Sequence, residues 1–170
     1  MKTKFKYRLL ILGGVIVFLM AFAFWYKITY SMEIAEKQVV NSPNIETKIL
    51  IATQGSDFKN AVVTDIINFF KNDTVHLNTI DVSKLQQIEP KDYDAIVILH
   101  TWEYGKAPEP VKRFITENMG IKEKMIVFAS SGAGTNKIEG IDALAGESII
   151  ENTNEVSGLI ISRIGKQLNQ

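Results

Sequence analysis

The sequence predicts an α/β fold, a doubly wound parallel sheet of five strands preceded by one N-terminal transmembrane helix. Three observations carry that expectation. Residues 9–26 form an uncharged, apolar run long enough to cross a bilayer. Further on, the runs KILIA (48–52), DAIVIL (94–99) and KMIVFA (124–129) are apolar almost without interruption, which marks strands covered on both faces. Between them lie stretches with helical spacing, and buried strands alternating with helices place helices on both faces of a parallel sheet.

The first element reads LLILGGVIVFLMAFAFWY, 18 residues without a charge. As a helix it spans about 27 Å, close to the thickness of bilayer hydrocarbon. Trp25 and Tyr26 at one end and Tyr7 at the other sit where interfacial aromatics belong. Ala21-Phe22-Ala23 has the small-x-small form of a signal-peptidase site, but the apolar run passes through it with no polar region, so an uncleaved anchor is the expectation. Lys2, Lys4, Lys6 and Arg8 precede the run, whereas Lys27 follows it with Glu33 and Glu36 nearby. The positive-inside rule then predicts a single-pass protein of the cell membrane, N terminus in the cytoplasm and C-terminal domain outside. The division expected is residues 1–27 as basic segment and anchor, 28–44 as juxtamembrane linker, and 45–170 as the folded domain.

Within 45–170, the strand at 48–52 leads through Thr53-Gln54-Gly55-Ser56-Asp57 into a helix whose apolar positions are Phe58, Val62, Ile66 and Phe69/Phe70. Val75 to Val82 is more polar and half-alternating, as an edge strand is, with His76 exposed on it. Ser83 caps a short helix that Pro90 ends. The strand at 94–99 opens into His100-Thr101-Trp102-Glu103-Tyr104-Gly105, and Pro108 and Pro110 begin the next helix. The strand at 124–129 runs into Ser130-Ser131-Gly132-Ala133-Gly134. A short fifth strand is expected within 138–150, and a closing amphipathic helix at 154–168 through Val156, Leu159, Ile160 and Ile164.

Composition narrows the chemistry. The 170 residues include no cysteine and two histidines, His76 and His100, so thiolate metal clusters, a cysteine nucleophile and a three-histidine zinc site are excluded. Residues 45–170 hold 13 basic and 17 acidic groups, whereas a nucleic-acid partner needs a basic face. Ligands of such sheets bind at the carboxyl ends of the strands. Three loops leave those ends, 53–57, 100–107 and 130–137, and they are the candidate site.

The segments ILIATQGSDFKNAVV, YDAIVILHTWEYGKAPEPVKRFI and KMIVFASSGAG resemble the flavodoxin-like family over about residues 48–168. The resemblance implies FMN as cofactor, a redox partner protein, and electron transfer near the membrane. It assigns the FMN phosphate to the first loop, at Thr53, Gly55 and Ser56. It assigns the isoalloxazine ring to Thr101, Trp102, Tyr104 and Gly105 of the second loop and to Ser131 and Gly132 of the third. The first loop departs from the family pattern, with Ala52, Gln54 and Asp57 in place of three hydroxyl residues. An aspartate in the first helical turn competes with a phosphate for the same N–H groups, and two unit charges about 4 Å apart repel by about 4 kcal/mol near a protein surface. Alternatively, Ser56 or Asp57 is simply the helix cap.

Trp102 and Tyr104 suit stacking on a flat ring, or equally a protein contact. His100 is read as a hydrogen-bonded structural imidazole, with an acid/base role the less favoured alternative. Two functions follow. One is a membrane-anchored FMN redox protein. The other is a flavodoxin-like binding or accessory module that has lost FMN and uses the same loop face for a protein or another ligand.

Overall fold

The computed structural model describes residues 2–30 and 32–169; the side chains of residues 2, 3, 5 and 27–30 lie outside the described set, and with them the side chain of Lys27. The chain divides into two compact units, residues 1–32 and 33–170. The first is a single helix, α1 (Lys2–Tyr30). Its apolar stretch Lys6–Tyr26 has none of its surface buried and is long and apolar enough to cross a membrane.

The second unit is a six-stranded sheet in the order β1-β3-β2-β4-β5-β6. Strands β2 (Lys48–Thr53), β3 (His76–Asp81), β4 (Ala95–Thr101), β5 (Met125–Ser130) and β6 (Asp142–Gly146) are parallel. Numbered among themselves, these five run 2-1-3-4-5, the flavodoxin-like order of doubly wound sheets. Helices α2 (Asp57–Phe70) and α4 (Thr153–Leu168) enclose a core on one face with Ile49, Ile51, Val97 and Phe128. Phe58 of α2 tilts against Phe128, their ring centroids 5.8 Å apart. Helix α3 (Glu109–Glu117) and the 3-10 turn Val82–Gln87 cover the other face over Leu50, Ile96, Ile98 and Val127. Asp81 rather than Ser83 caps that turn, its Oδ1 accepting the Ser83 N–H at 2.9 Å. Phe69 and Leu159, expected on buried stripes, are exposed, while Phe70, Ile160 and Ile164 fill those positions.

The largest departure from expectation is the segment read as a linker. Gln38–Val40 form β1, an antiparallel strand on the outer side of β3, in register Gln38↔Thr79 to Val40↔Leu77. Strand β3 is therefore covered rather than an edge, and His76 is buried, its Nδ1 3.2 Å from the Asn41 carbonyl. Asn41 ends β1 in the left-handed region (φ 66°), where asparagine is among the better-tolerated residues. Its Nδ2 donates to the Val75 carbonyl at 2.8 Å. Upstream of β1, residues 33–35 cross the sheet end as a strap. Glu33 bridges to Gly55, and the buried Ala35 donates its N–H to Asp81 Oδ2 at 2.9 Å.

Candidate functional site

The switch point of the sheet lies between β2 and β4, where crossovers leave toward opposite faces. The loops after β2, β4 and β5 meet there. Gln54 ties the first to the second. Its Oε1 accepts the Thr101 N–H at 2.6 Å, its Nε2 donates to Glu103 at 3.0 Å, and its own N–H donates to the Leu99 carbonyl at 3.2 Å. The Trp102 N–H donates to the Ser130 carbonyl at 2.7 Å and links the second loop to the third.

Ser56 is the cap of α2. It has extended backbone, and its Oγ accepts the Lys59 N–H at 3.3 Å. Asp57 is exposed in the first turn, where its charge complements the helix dipole. The group seated over the loop is therefore main chain rather than the Asp57 carboxylate. The Gly55 N–H donates to the Glu33 carbonyl at 2.7 Å, and a Cβ built on Gly55 would lie 2.8 Å from Glu33 atoms. An FMN phosphate seated at Gly55 would have to compete with the chain's own strap. The N–H groups of Gln54, Gly55 and Lys59 are already paired within the chain, and the strap occupies the approach to Gly55.

Lys59 lies beneath these loops, 1% exposed. Its Nζ donates to Thr101 Oγ1 at 2.8 Å and to Ser56 Oγ at 3.3 Å, and Thr101 Oγ1 in turn lies 3.2 Å from Ser130 Oγ. Burial lowers the Lys59 ammonium to a pKa of about 8 against the opposing pull of Glu103. A buried polar network thus joins the three loops, and it belongs to the framework of the site.

On the opposite face of β4, His100 is fully buried and its ring lies 6.1 Å from that of Trp102. Its Nδ1 lies 3.2 Å from the Thr101 carbonyl, an acceptor, so Nδ1 carries the proton and Nε2 is a bare acceptor. Burial, helped by the Lys59 charge and opposed by that carbonyl, lowers its pKa to about 4. A neutral, enclosed ring suits the structural reading of His100 better than an acid/base role. Both His100 Nε2 and Ser131 Oγ are buried without a protein partner among the described residues.

Of the residues expected at the site, Thr53, Gly55, Ser56, Thr101 and Ser131 are drawn together at the switch point. Thr53 is buried and its Oγ1 donates to the Gln54 carbonyl at 3.1 Å. Trp102 is half-buried at the same sheet end. Tyr104 and Gly105 stand apart at the tip of a two-residue turn, closed by Glu103 and Lys106 exchanging main-chain hydrogen bonds at 2.9 and 3.0 Å. Both have positive φ (50° and 77°), and Tyr104 is 86% exposed. Gly132 is also exposed. Sequence reasoning missed Lys59, Gln54 as a cross-link, and Glu33. Lys59 had a signal, since it falls on the stripe 59, 62, 63, 66 of α2. Glu33 had none, because its contact with Gly55 spans 22 positions.

No family model matches the chain, and no curated protein matches it. Among solved structures it is similar to oxidised flavodoxin 2 from Bacillus cereus, at 17% identity and TM-score 0.46, covering 71% of this chain and 99% of that one. It is also similar to the metal-soaked flavodiiron core from Synechocystis, at 16% identity and TM-score 0.44, covering 68% of this chain but only 28% of the other.

Proposed function

We propose that this chain is a bilayer-anchored, flavodoxin-like binding module that works without FMN in the phosphate loop and engages a protein partner through its loop face. One observation carries the reading. The Gly55 N–H, which would hold a phosphate oxygen, donates instead to the chain's own Glu33 carbonyl at 2.7 Å. The exposed Tyr104 and half-buried Trp102 supply the aromatic anchors that protein interfaces favour. The hydrogen-bonded loops beneath them hold that surface in one shape, which limits the ordering cost of association. Helix α1 has the length and apolarity to keep the module at a bilayer, with the domain outside the cytoplasm as the preceding basic residues favour. The rival FMN redox reading draws on Trp102 and Thr101 as ring neighbours and requires the strap to leave the loop.

The test uses the full chain in lipid nanodiscs. Titration with FMN is expected to leave the flavin fluorescence unchanged, and the purified protein is expected to be colourless. A photo-crosslinking residue at Tyr104 is expected to trap one discrete partner in cells, while the same residue at the exposed Glu117 traps none. Stoichiometric FMN quenching would replace this reading with the redox one.

A further inference from the structure

Ser56-Asp57-Phe58-Lys59 has the S-x-x-K spacing, in which one turn of helix sets a lysine amine beside a serine hydroxyl. The fold realises that spacing in space. Ser56 caps α2 and Lys59 sits in its first turn, with Nζ 3.3 Å from Ser56 Oγ. Such a distance is the loose end of the range for a nucleophile and its base before substrate binds. Ser56 is half-buried whereas Lys59 is 1% exposed, so a reagent reaches the hydroxyl and not the amine.

The hydrogens of the network behind this pair run in one direction. Ser130 Oγ donates to the His100 carbonyl at 3.4 Å, so it accepts from Thr101 Oγ1 at 3.2 Å. The Thr101 hydroxyl, with its one hydrogen committed, accepts from Lys59 Nζ at 2.8 Å. Lys59 is thereby a donor towards Thr101, and in the neutral amine the lone pair can turn to the Ser56 hydroxyl hydrogen. Burial brings the neutral form within reach by lowering the ammonium to a pKa of about 8, although Glu103 on the loop after β4 pulls the other way. His100 is uncharged at that pH, and the Asp57 carboxylate in the same helical turn is exposed.

We infer that Ser56 is the nucleophile of an acyl-transfer site that cleaves small carboxylic esters, with Lys59 as its general base. The ester is small because the strap already lies over the adjacent Gly55. As Ser56 Oγ bonds the carbonyl carbon, its proton passes to Lys59 Nζ. The ester C–O bond then breaks, the departing alcohol oxygen takes that proton, and the acyl group stays on Oγ as a serine ester. Water repeats the exchange. It gives a proton to Nζ as it adds to the acyl carbon, Oγ leaves and recovers the proton, and a carboxylic acid departs. Helix α2 starts at Asp57, so the N–H groups of Asp57 and Phe58 have no acceptor within the helix and are the nearest donors in sequence for the oxyanion. The site uses neither the Trp102 ring nor Tyr104, so it stands or falls apart from the function proposed above.

The test treats the full chain in nanodiscs with p-nitrophenyl acetate, follows nitrophenol release, and maps acetyl groups by peptide mass spectrometry after acid quenching. Acetylation is expected at Ser56, at a rate that rises with pH to a plateau and has its midpoint near 8. Lys59→Met, which keeps an apolar stem and removes the amine, is expected to slow Ser56 acetylation at least about 100-fold. Ser56→Gly, which a helix cap tolerates, is expected to remove the saturable part of the release. Should Lys59→Met not fold, the acetyl map and the pH profile of the parent decide. Four results would each overturn the inference and return the pair to a helix cap and its brace: Ser56 left unmodified, acetyl groups on Lys59 or on exposed lysines instead, a rate flat across pH 8, or a folded Lys59→Met that reacts as fast as the parent.

Discussion

His100 illustrates how one residue's surroundings fix its chemistry. A ring with no exposed surface and one bare nitrogen stays neutral, and its pKa of about 4 lies below the ordinary 6.5. In the unfolded chain the ring takes a proton as pH falls through 6.5, while the folded protein does not until about 4. The unfolded state then binds more protons, so stability falls with pH across that window. The drop is expected to be on the order of 3 kcal/mol, and in His100→Gln the pH dependence between 6.5 and 4 should flatten. Urea unfolding of the two proteins at several pH values measures it; parallel curves would mean the ring is charged or open to water. Lys59 obeys the same rule at the other end of the scale. Its ammonium is least welcome when charged, so its burden on the fold is relieved as pH rises from about 8 towards 10.5.

At the scale of elements, the strap does the most with the fewest residues. Glu33 closes the loop after β2, and Ala35 supplies a donor to a buried carboxylate. Ala35→Pro removes that donor, and the expected loss is about 1–3 kcal/mol, read as a lower urea midpoint at unchanged slope. The Gly55 amide should exchange with solvent faster in the same variant, because its acceptor sits two residues away on the displaced strap. An amide as protected as in the parent would mean that Glu33 holds the loop without help from Ala35. The strap is also where the sequence was least legible. Strands β2, β4 and β5 announced themselves as unbroken apolar runs, and α2 and α4 as periodic stripes, because local pattern records which faces are covered. Strand β1 has three residues, QVV, too few for a period, and it pairs with residues 37–41 positions later. For the same reason His76 read as exposed, since nothing within reach of its own strand indicates a neighbour. The three loops do lie at the carboxyl ends of β2, β4 and β5, as the rule for strand ends places them, yet their contents depended on side chains reaching across them. Gln54, which spans from β2 to Thr101 and Glu103, looked like a lost hydroxyl and is a brace.

For the whole molecule, the expectation is a protein of two environments. Helix α1 leaves its apolar surface uncovered along Lys6–Tyr26, whereas the remaining unit buries two hydrophobic cores, one on each face of its sheet. Extraction of cell membranes with carbonate should leave the full chain in the pellet, whereas a chain cleaved after Ala23 would appear in the supernatant. A reporter joined after Gln170 is expected to be active only outside the cytoplasm; activity inside would reverse the orientation that Lys2, Lys4, Lys6 and Arg8 favour.

The brevity of β1 has a further effect. An uncovered β3 would present the outward-facing main-chain donors and acceptors of a six-residue strand, a border along which a second copy could pair. Three residues ended by a left-handed asparagine give any newcomer too short and too bent a template. The segment that follows the strap thus leaves a second copy little free border to pair with.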